Sequence, residues 1–404
     1  MMKREDGFTL VELMITMAVL AFSLAAASTV FTALLSQFKQ QTKIAETSIE
    51  GIVGLEIMRQ DIEGAGYGLP WNLGGSIYRE AVDDGNTPWA DTTMNDGPSG
   101  NPGRVPPPPS SNPQDIAGAS NPPAAFRSMK QVSMNGYSDV LSVKSVVVAQ
   151  NSASQKWTQL ALGNLKKNGL SGDSFSNPDL VTIIYTGGTT HLLVHNGASN
   201  WSTTYANTAS FAPGPSPAVG AAADLVMNYP EISASNTLIV FIVYGVDPGT
   251  GVASLRMPFN RADFYVRVPA ANLPKQCAAG TGVLYKGTFS QSNGTIVNEL
   301  PILDCVVAMR VIFTLDLYGN GAYTYTDDIS GLTAADIRAW LKEVRVYILA
   351  QEGQKDPNYT YPNSTVTLGE TGMLPVNIDM TTITNYQNYR WKPYTLIVRP
   401  TNLR

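Results

Sequence analysis

An acid stands in a stretch that should hold none. From Phe8 to Leu35 the chain reads FTLVELMITMAVLAFSLAAASTVFTALL, where Glu12 is the one charge and Gly and Pro are absent. A carboxylate inside such a segment costs about 2.5–3.5 kcal/mol even on a lenient insertion scale, so a chain that keeps one there needs it. Other residues with chemical potential are few. Cys277 and Cys305 are the only cysteines. They fit neither a CxxC redox pair nor a zinc cluster, which leaves a single bridge or two buried thiols. A bridge would stabilise by about 3–4 kcal/mol in the chain-entropy model. Asp316, Asn320, Gly321 and Asp327 partly match the spacing of a calcium loop, but Tyr318 breaks the pattern. The competing and preferred reading is a β-hairpin that turns at Asn320-Gly321, joining 311–317 to 322–326. His191 and His195 are the only histidines. On a strand they stand about 13 Å apart, too far to share one metal. No nucleophile elbow or phosphate loop appears, so no enzyme is expected and no cofactor is required.

The elements that must hold these residues follow from pattern and composition. The apolar stretch would cover about 42 Å as a helix, against a hydrocarbon core of about 30 Å. The helical pattern runs on to about Ile62, where Gly64, Gly66, Gly68 and Pro70 stop it. Ile49, Val53 and Ile57 share one face of this second half, and Ile52, Leu55 and Ile62 another. Residues 67–128, with NDGPSGNPG and the run Pro106 to Pro109, read as an exposed Gly/Pro-rich loop or insertion. Beyond Val140, short runs rich in Val, Ile, Tyr and Thr alternate with turn clusters: VLSVKSVVVA, LVTIIY, LIVFIVYGV, VVAMRVIFTLDL, VRVYILA and YTLIVR. These are strands. Thr333 to Trp340 is the clear body helix, with Thr333 and Asp336 forming a capping box. The expected fold is therefore α+β, a long N-terminal hydrophobic helix followed by a β-rich body over 129–404. A break near 211–218 would either divide two lobes or form a surface loop. A net charge of −5 and a pI near 5.2 leave no footprint for nucleic acid, and no Lys/Arg run marks an anionic membrane surface.

Gly7-Phe8-Thr9-Leu10-Val11-Glu12 resembles the processing signature of type IV prepilins. A short charged leader, a Gly/Phe junction, an acid at the fifth position of the mature chain and an unbroken apolar helix occur in that order. The resemblance implies a removable leader over 1–7, a helix over 8–66, cleavage between Gly7 and Phe8, and N-methylation of Phe8. It further implies that Glu12 neutralises the new amino terminus of an adjacent subunit. Two costly charges then become one interaction that selects register. MRQDIEGAGYGLP at 58–70, the strand and helix run of 306–350 and the C-terminal YRWKPYTLIVRPTNLR resemble PilW-type minor pilins and the related J-class pseudopilins of type II secretion.

Several expectations follow from that resemblance. The protein is a minor pilin that primes or caps pilus assembly; the alternatives are a type II secretion minor pseudopilin at the pseudopilus tip and a pilus-tip adhesin. Its partners are the prepilin peptidase, other minor and major pilins, the inner-membrane assembly platform and membrane lipid. Its place is the bacterial inner membrane, with a single pass and a periplasmic body, and after assembly the pilus or cell surface.

Overall fold

The computed structural model describes residues 9–74, 76, 78–81, 94–96, 121–149, 153–161, 164–166, 175, 179–186, 191–194, 202–204, 240–247, 252, 255–269 and 273–403. A single helix, α1 (Leu10–Glu63), opens it. At about 81 Å it is long enough to cross a membrane and still carry a body. Its end is built from three glycines and the C-terminal tail. Gly64 caps the helix, and Gly66 and Gly68 take φ of 84° and 72°, a region that resists side chains. Thr401 then donates its amide (3.0 Å) and its hydroxyl (3.1 Å) to the free Glu63 carbonyl.

The main sheet is antiparallel and collects strands from distant parts of the chain. In chain order these are β1 (Phe126–Ser133), β2 (Ser138–Ser145), a second set described below, then β9 (Asn260–Arg267), β10 (Gly282–Phe289), β11 (Ile296–Leu315), β12 (Thr324–Thr326), β13 (Leu341–Glu352) and β16 (Arg390–Val398). Their spatial order is β1-β2-β9-β10-β11-β13-β16, with β12 attached to β11. The body helix, α2 (Ala334–Trp340), precedes β13 and begins at a reciprocal Thr333–Asp336 capping box, as the sequence indicates.

From Ile302 onward β11 is covered on both faces, its side chains alternating between them. Met309, Val311 and Phe313 join Leu55, Met58 and Ile62 of α1 in the main core. Ile312 faces the other way, where it packs with Tyr347, Leu368, Ile378, Met380 and Trp391. The last group is closed by a hairpin of β14 (Thr365–Leu368) and β15 (Val376–Asp379).

The remaining strands form a second sheet. They are β3 (Trp157–Ala161), β4 (Asn164–Lys166), β5 (Leu180–Tyr185), β6 (Leu192–Leu193), β7 (Ser202–Thr204) and β8 (Val240–Gly245), ordered β4-β3-β8-β5-β6 with β7 on β5. This sheet interrupts the chain between β2 and β9, which are themselves paired from Leu141 with Phe264 to Ser145 with Asn260. Residues 211–218 lie outside the described residues, and strands from both sides of them share this sheet.

Parts of the Gly/Pro-rich region are packed, which differs from the exposed loop expected there. Glu80, Ala81, Met94 and Asp96 are buried against the main sheet. Lys144 Nζ lies 2.7 Å from Glu80 and 2.6 Å from Asp96, Arg127 lies 2.7 Å from Asp96, and Arg261 bridges Asp263 (2.8 Å) and Glu80 (3.3 Å). Burial pushes the Asp96 carboxyl up, but Arg127, Lys144 and the Ala124 amide together hold it below its ordinary value. Composition hides such an arrangement, because the partners that neutralise these acids come from strands far along the chain.

Candidate functional site

The first half of α1 presents its apolar side chains to the surroundings on every side. Leu10 is 76% exposed and Phe22 78%, and Leu13, Val19, Leu24, Val30, Leu34 and Phe38 are exposed with them. A surface of this kind is unstable in water and must be covered by lipid or by other helices. Four of its hydroxyls are satisfied within the helix. Thr16, Ser23, Thr29 and Thr32 donate their hydroxyls to the carbonyls of Leu13, Val19, Ala26 and Ser28. These four hydroxyls make no demand for water inside hydrocarbon.

Glu12 sits at the start of this segment and is engaged locally. Its carboxylate accepts both the Thr9 amide and the Thr9 hydroxyl at 2.9 Å, while its own amide donates to the Thr9 hydroxyl at 3.3 Å. Thr9-Leu10-Val11-Glu12 is thus a capping box. The T-x-x-E spacing was open to view in the sequence, but the cost of the acid drew attention to its charge alone. Gly7 and Phe8 lie outside the described residues.

The second half of α1 docks on the body through a face the apolar count does not reveal. Gly51, Gly54, Leu55, Met58, Asp61 and Ile62 are buried. A Cβ on Gly54 would fall 1.8 Å from the Ile302 carbonyl oxygen, so the helix backbone touches β11 there. Asp61 is paired with the buried Lys286 of β10 at 2.6 Å. Burial drives the Asp61 carboxyl up to about 6 against the pull of that ammonium. Ile49, Ile52 and Val53 stay exposed, so of the two apolar faces expected for this half only part is used within the chain.

A family model described as the prokaryotic N-terminal methylation motif matches residues 2–28. The chain carries that methylation motif. The match includes Gly7, Phe8 and Glu12 and runs on through the exposed apolar part of α1 to Ser28, so sequence signature and uncovered apolar surface coincide. Among solved structures, a type IV-like pilin from Thermus thermophilus is similar at 15% identity, covering 38% of this chain and 74% of that one, with a TM-score of 0.20, too low to bear on the fold. No curated protein matches the chain in sequence at a significant level.

Away from the methylation motif, the other candidate residues are separated by their own partners. Cys277 and Cys305 are bonded to each other, with Cα atoms 5.0 Å apart. The bridge ties the segment before β10 to the middle of β11. Asp316 accepts the amides of Asn320 (3.2 Å) and Gly321 (3.3 Å), and Asn320 accepts the amide of Ala322 at 2.9 Å. Asp327 instead binds Arg310 at 2.6 Å. Among the described residues no group of three His, Cys, Asp or Glu side chains converges as a metal site. The hairpin is longer-looped than an Asn-Gly turn, since β11 ends at Leu315 and β12 starts at Thr324. His191 is stacked on Trp71 with ring centroids 3.9 Å apart, and Arg338 covers the Trp71 ring at 4.9 Å. Burial and then Arg338 hold the His191 imidazole below its usual range. His195 lies outside the described residues.

Proposed function

We propose that this protein is a minor pilin of the PilW kind, cut between Gly7 and Phe8 by a prepilin peptidase, N-methylated at Phe8, held in the inner membrane by α1 and then inserted into a type IV pilus to prime or cap it. The observation that carries the reading is the methylation motif at the head of a helix whose first half is exposed and apolar on all sides. Cleavage would place an α-ammonium beside Thr9 and Glu12 at the apolar end of the helix. An unpaired charge there is costly, so an ammonium of one subunit and Glu12 of the next attract strongly and fix the stagger between them. The capping box supports this role, because it holds the Glu12 carboxylate in one rotamer before a partner arrives. The body then serves as the surface that meets other minor and major pilins and the assembly platform.

Mass spectrometry of the mature protein tests the proposal. The expected N-terminus is a methylated Phe8, and a chain that starts elsewhere ends the reading. Deletion of the gene separates the cellular roles: loss of surface pili is expected, whereas exoproteins retained in the periplasm would assign the helix to a secretion pseudopilus.

A further inference from the structure

The buried charges of the Gly/Pro-rich region converge on one amine. Lys144 Nζ lies between two carboxylates, 2.6 Å from Asp96 Oδ2 and 2.7 Å from Glu80 Oε2, and donates as well to the Met94 carbonyl at 3.1 Å. The three side chains are at most 2% exposed. Phe259 lies over the amine with its ring centroid at 5.7 Å, and the Tyr78 hydroxyl donates to Glu80 Oε1 at 3.3 Å. Arg127 grips the other oxygen of Asp96, with Nε and Nη2 each 2.7 Å from Oδ1. The amine, a carboxyl carbon's two oxygens and a second acid are thus in contact where water is excluded.

An ion pair is a costly way to fill such a site. Lys144 of β2 and Arg261 of β9 stand directly opposite each other in the ladder, where like charges repel. Lys144, Arg127 and Arg261 face Glu80, Asp96 and Asp263, three cations against three anions. Each charge taken from water carries a desolvation penalty that a neutral group does not. Loss of one cation together with one anion keeps the balance at two against two and relieves the repulsion across the ladder. Groups held in contact also react without the entropy cost of meeting.

We infer that Lys144 and Asp96 condense into an amide, a covalent staple between Asp96 and β2. At rest the pair is ionised. The Lys144 ammonium passes one proton through Glu80 Oε2 to Asp96 Oδ2, which leaves an amine beside a carboxylic acid. The Nζ lone pair attacks Asp96 Cγ, and Arg127 stabilises the negative charge that gathers on Oδ1. A second proton leaves Nζ by the same route, and Oδ2 departs as water. One Nζ–Cγ bond forms, one Cγ–Oδ2 bond breaks, Glu80 ends ionised as it began, and no oxidant or cofactor enters. Asp96 is the acyl partner because the paired guanidinium donors lie on it, whereas Arg261 approaches Glu80 at 3.3 Å on the oxygen that faces the amine. The staple joins positions 48 apart in sequence and, unlike the Cys277–Cys305 bridge, resists reductant.

The test is peptide mapping by mass spectrometry of the full-length chain, purified in detergent, then denatured, reduced and digested with trypsin. Residues 131–156, left uncut at Lys144, should emerge joined to residues 80–104 at their summed mass less about 18 Da, the water lost. Fragmentation should place the link on Asp96. Glu80→Gln cannot relay the proton and should lower the linked fraction at least about tenfold, while its Cys277–Cys305 bridge forms as in wild type. Separate peptides of unmodified mass from wild type mean an ion pair and nothing more, and overturn the inference whatever the variant does. A link on Glu80, or full linkage in Glu80→Gln, overturns the roles given to Asp96 and Glu80.

Discussion

Gly54 and Ile302 are in backbone contact: a methyl group on Gly54 would stand 1.8 Å from the Ile302 carbonyl oxygen. A backbone oxygen of β11 cannot step aside as a side chain can. Gly54→Ala should therefore lever α1 off β11 and destabilise the docked state by about 1–3 kcal/mol. Gly51→Ala is the control. Its Cβ would meet side-chain atoms only, Leu303 Cδ1 at 3.1 Å and the Tyr394 hydroxyl at 3.2 Å. Those can yield, and alanine regains about 1 kcal/mol of helix propensity, so that variant should unfold close to wild type. Thermal unfolding of the full chain in detergent checks both, and an unchanged Gly54→Ala would refute the contact.

Glu12 has two duties in the proposed cycle, and one substitution separates them. Glu12→Gln keeps a carbonyl oxygen for the Thr9 amide but removes the charge that a neighbouring ammonium needs. It should leave the first turn of α1 intact by amide hydrogen exchange and still abolish incorporation into filaments. Thr9→Val should do the reverse, speeding exchange over the first turn about fivefold through loss of roughly 1 kcal/mol of cap while filaments still form. Normal incorporation of Glu12→Gln would remove the counter-ion role.

The Asp61–Lys286 pair makes stability depend on pH in a direction opposite to that of most carboxylates. The Asp61 pKa in the fold is about 6, above its ordinary 3.8. The folded state thus binds this proton more tightly than the unfolded chain. Its contribution to stability is fully present below the unfolded value and is lost as pH rises from about 4 through about 6. Lys286→Met removes the ammonium that partly offsets burial. It should cost about 3–5 kcal/mol near neutral pH and markedly less at about pH 5, where Asp61 takes up a proton. Denaturant unfolding at the two pH values reads the difference, and a cost independent of pH would be evidence against a buried ionised Asp61.

The Cys277–Cys305 bridge closes a loop of sequence separation 28 that contains β10 and the start of β11. Double replacement by Ser should lower stability by about 3–4 kcal/mol, chiefly by freeing the unfolded chain. A reductant should lower the melting temperature of wild type and leave that of the variant alone.

Much of the framework could be read from residues close together in sequence. The glycines at 64, 66 and 68 marked the end of α1, Thr333 and Asp336 marked the start of α2, and the runs LVTIIY and VRVYILA became β5 and part of β13. Each of these signals is local, so a window of a few residues contains it. The site was legible only in part, for the same reason. Whether Glu80 and Asp96 are buried is decided by Lys144, Arg127 and Arg261, none of which lies nearby in the chain. Gly51 and Gly54 read as weak helix formers until the strand that needs their missing side chains is in view.

The second sheet leaves from the end of β2 and comes back beside it at β9, so its exit and re-entry are ladder neighbours. An excursion with that geometry can change in length without resetting the β2–β9 register, so long as it keeps the contacts its core makes with Tyr67 and Leu73 just past α1. The second sheet is in this sense a cassette inserted between two neighbouring strands, held to the main body at its base by Trp71 and Asn72.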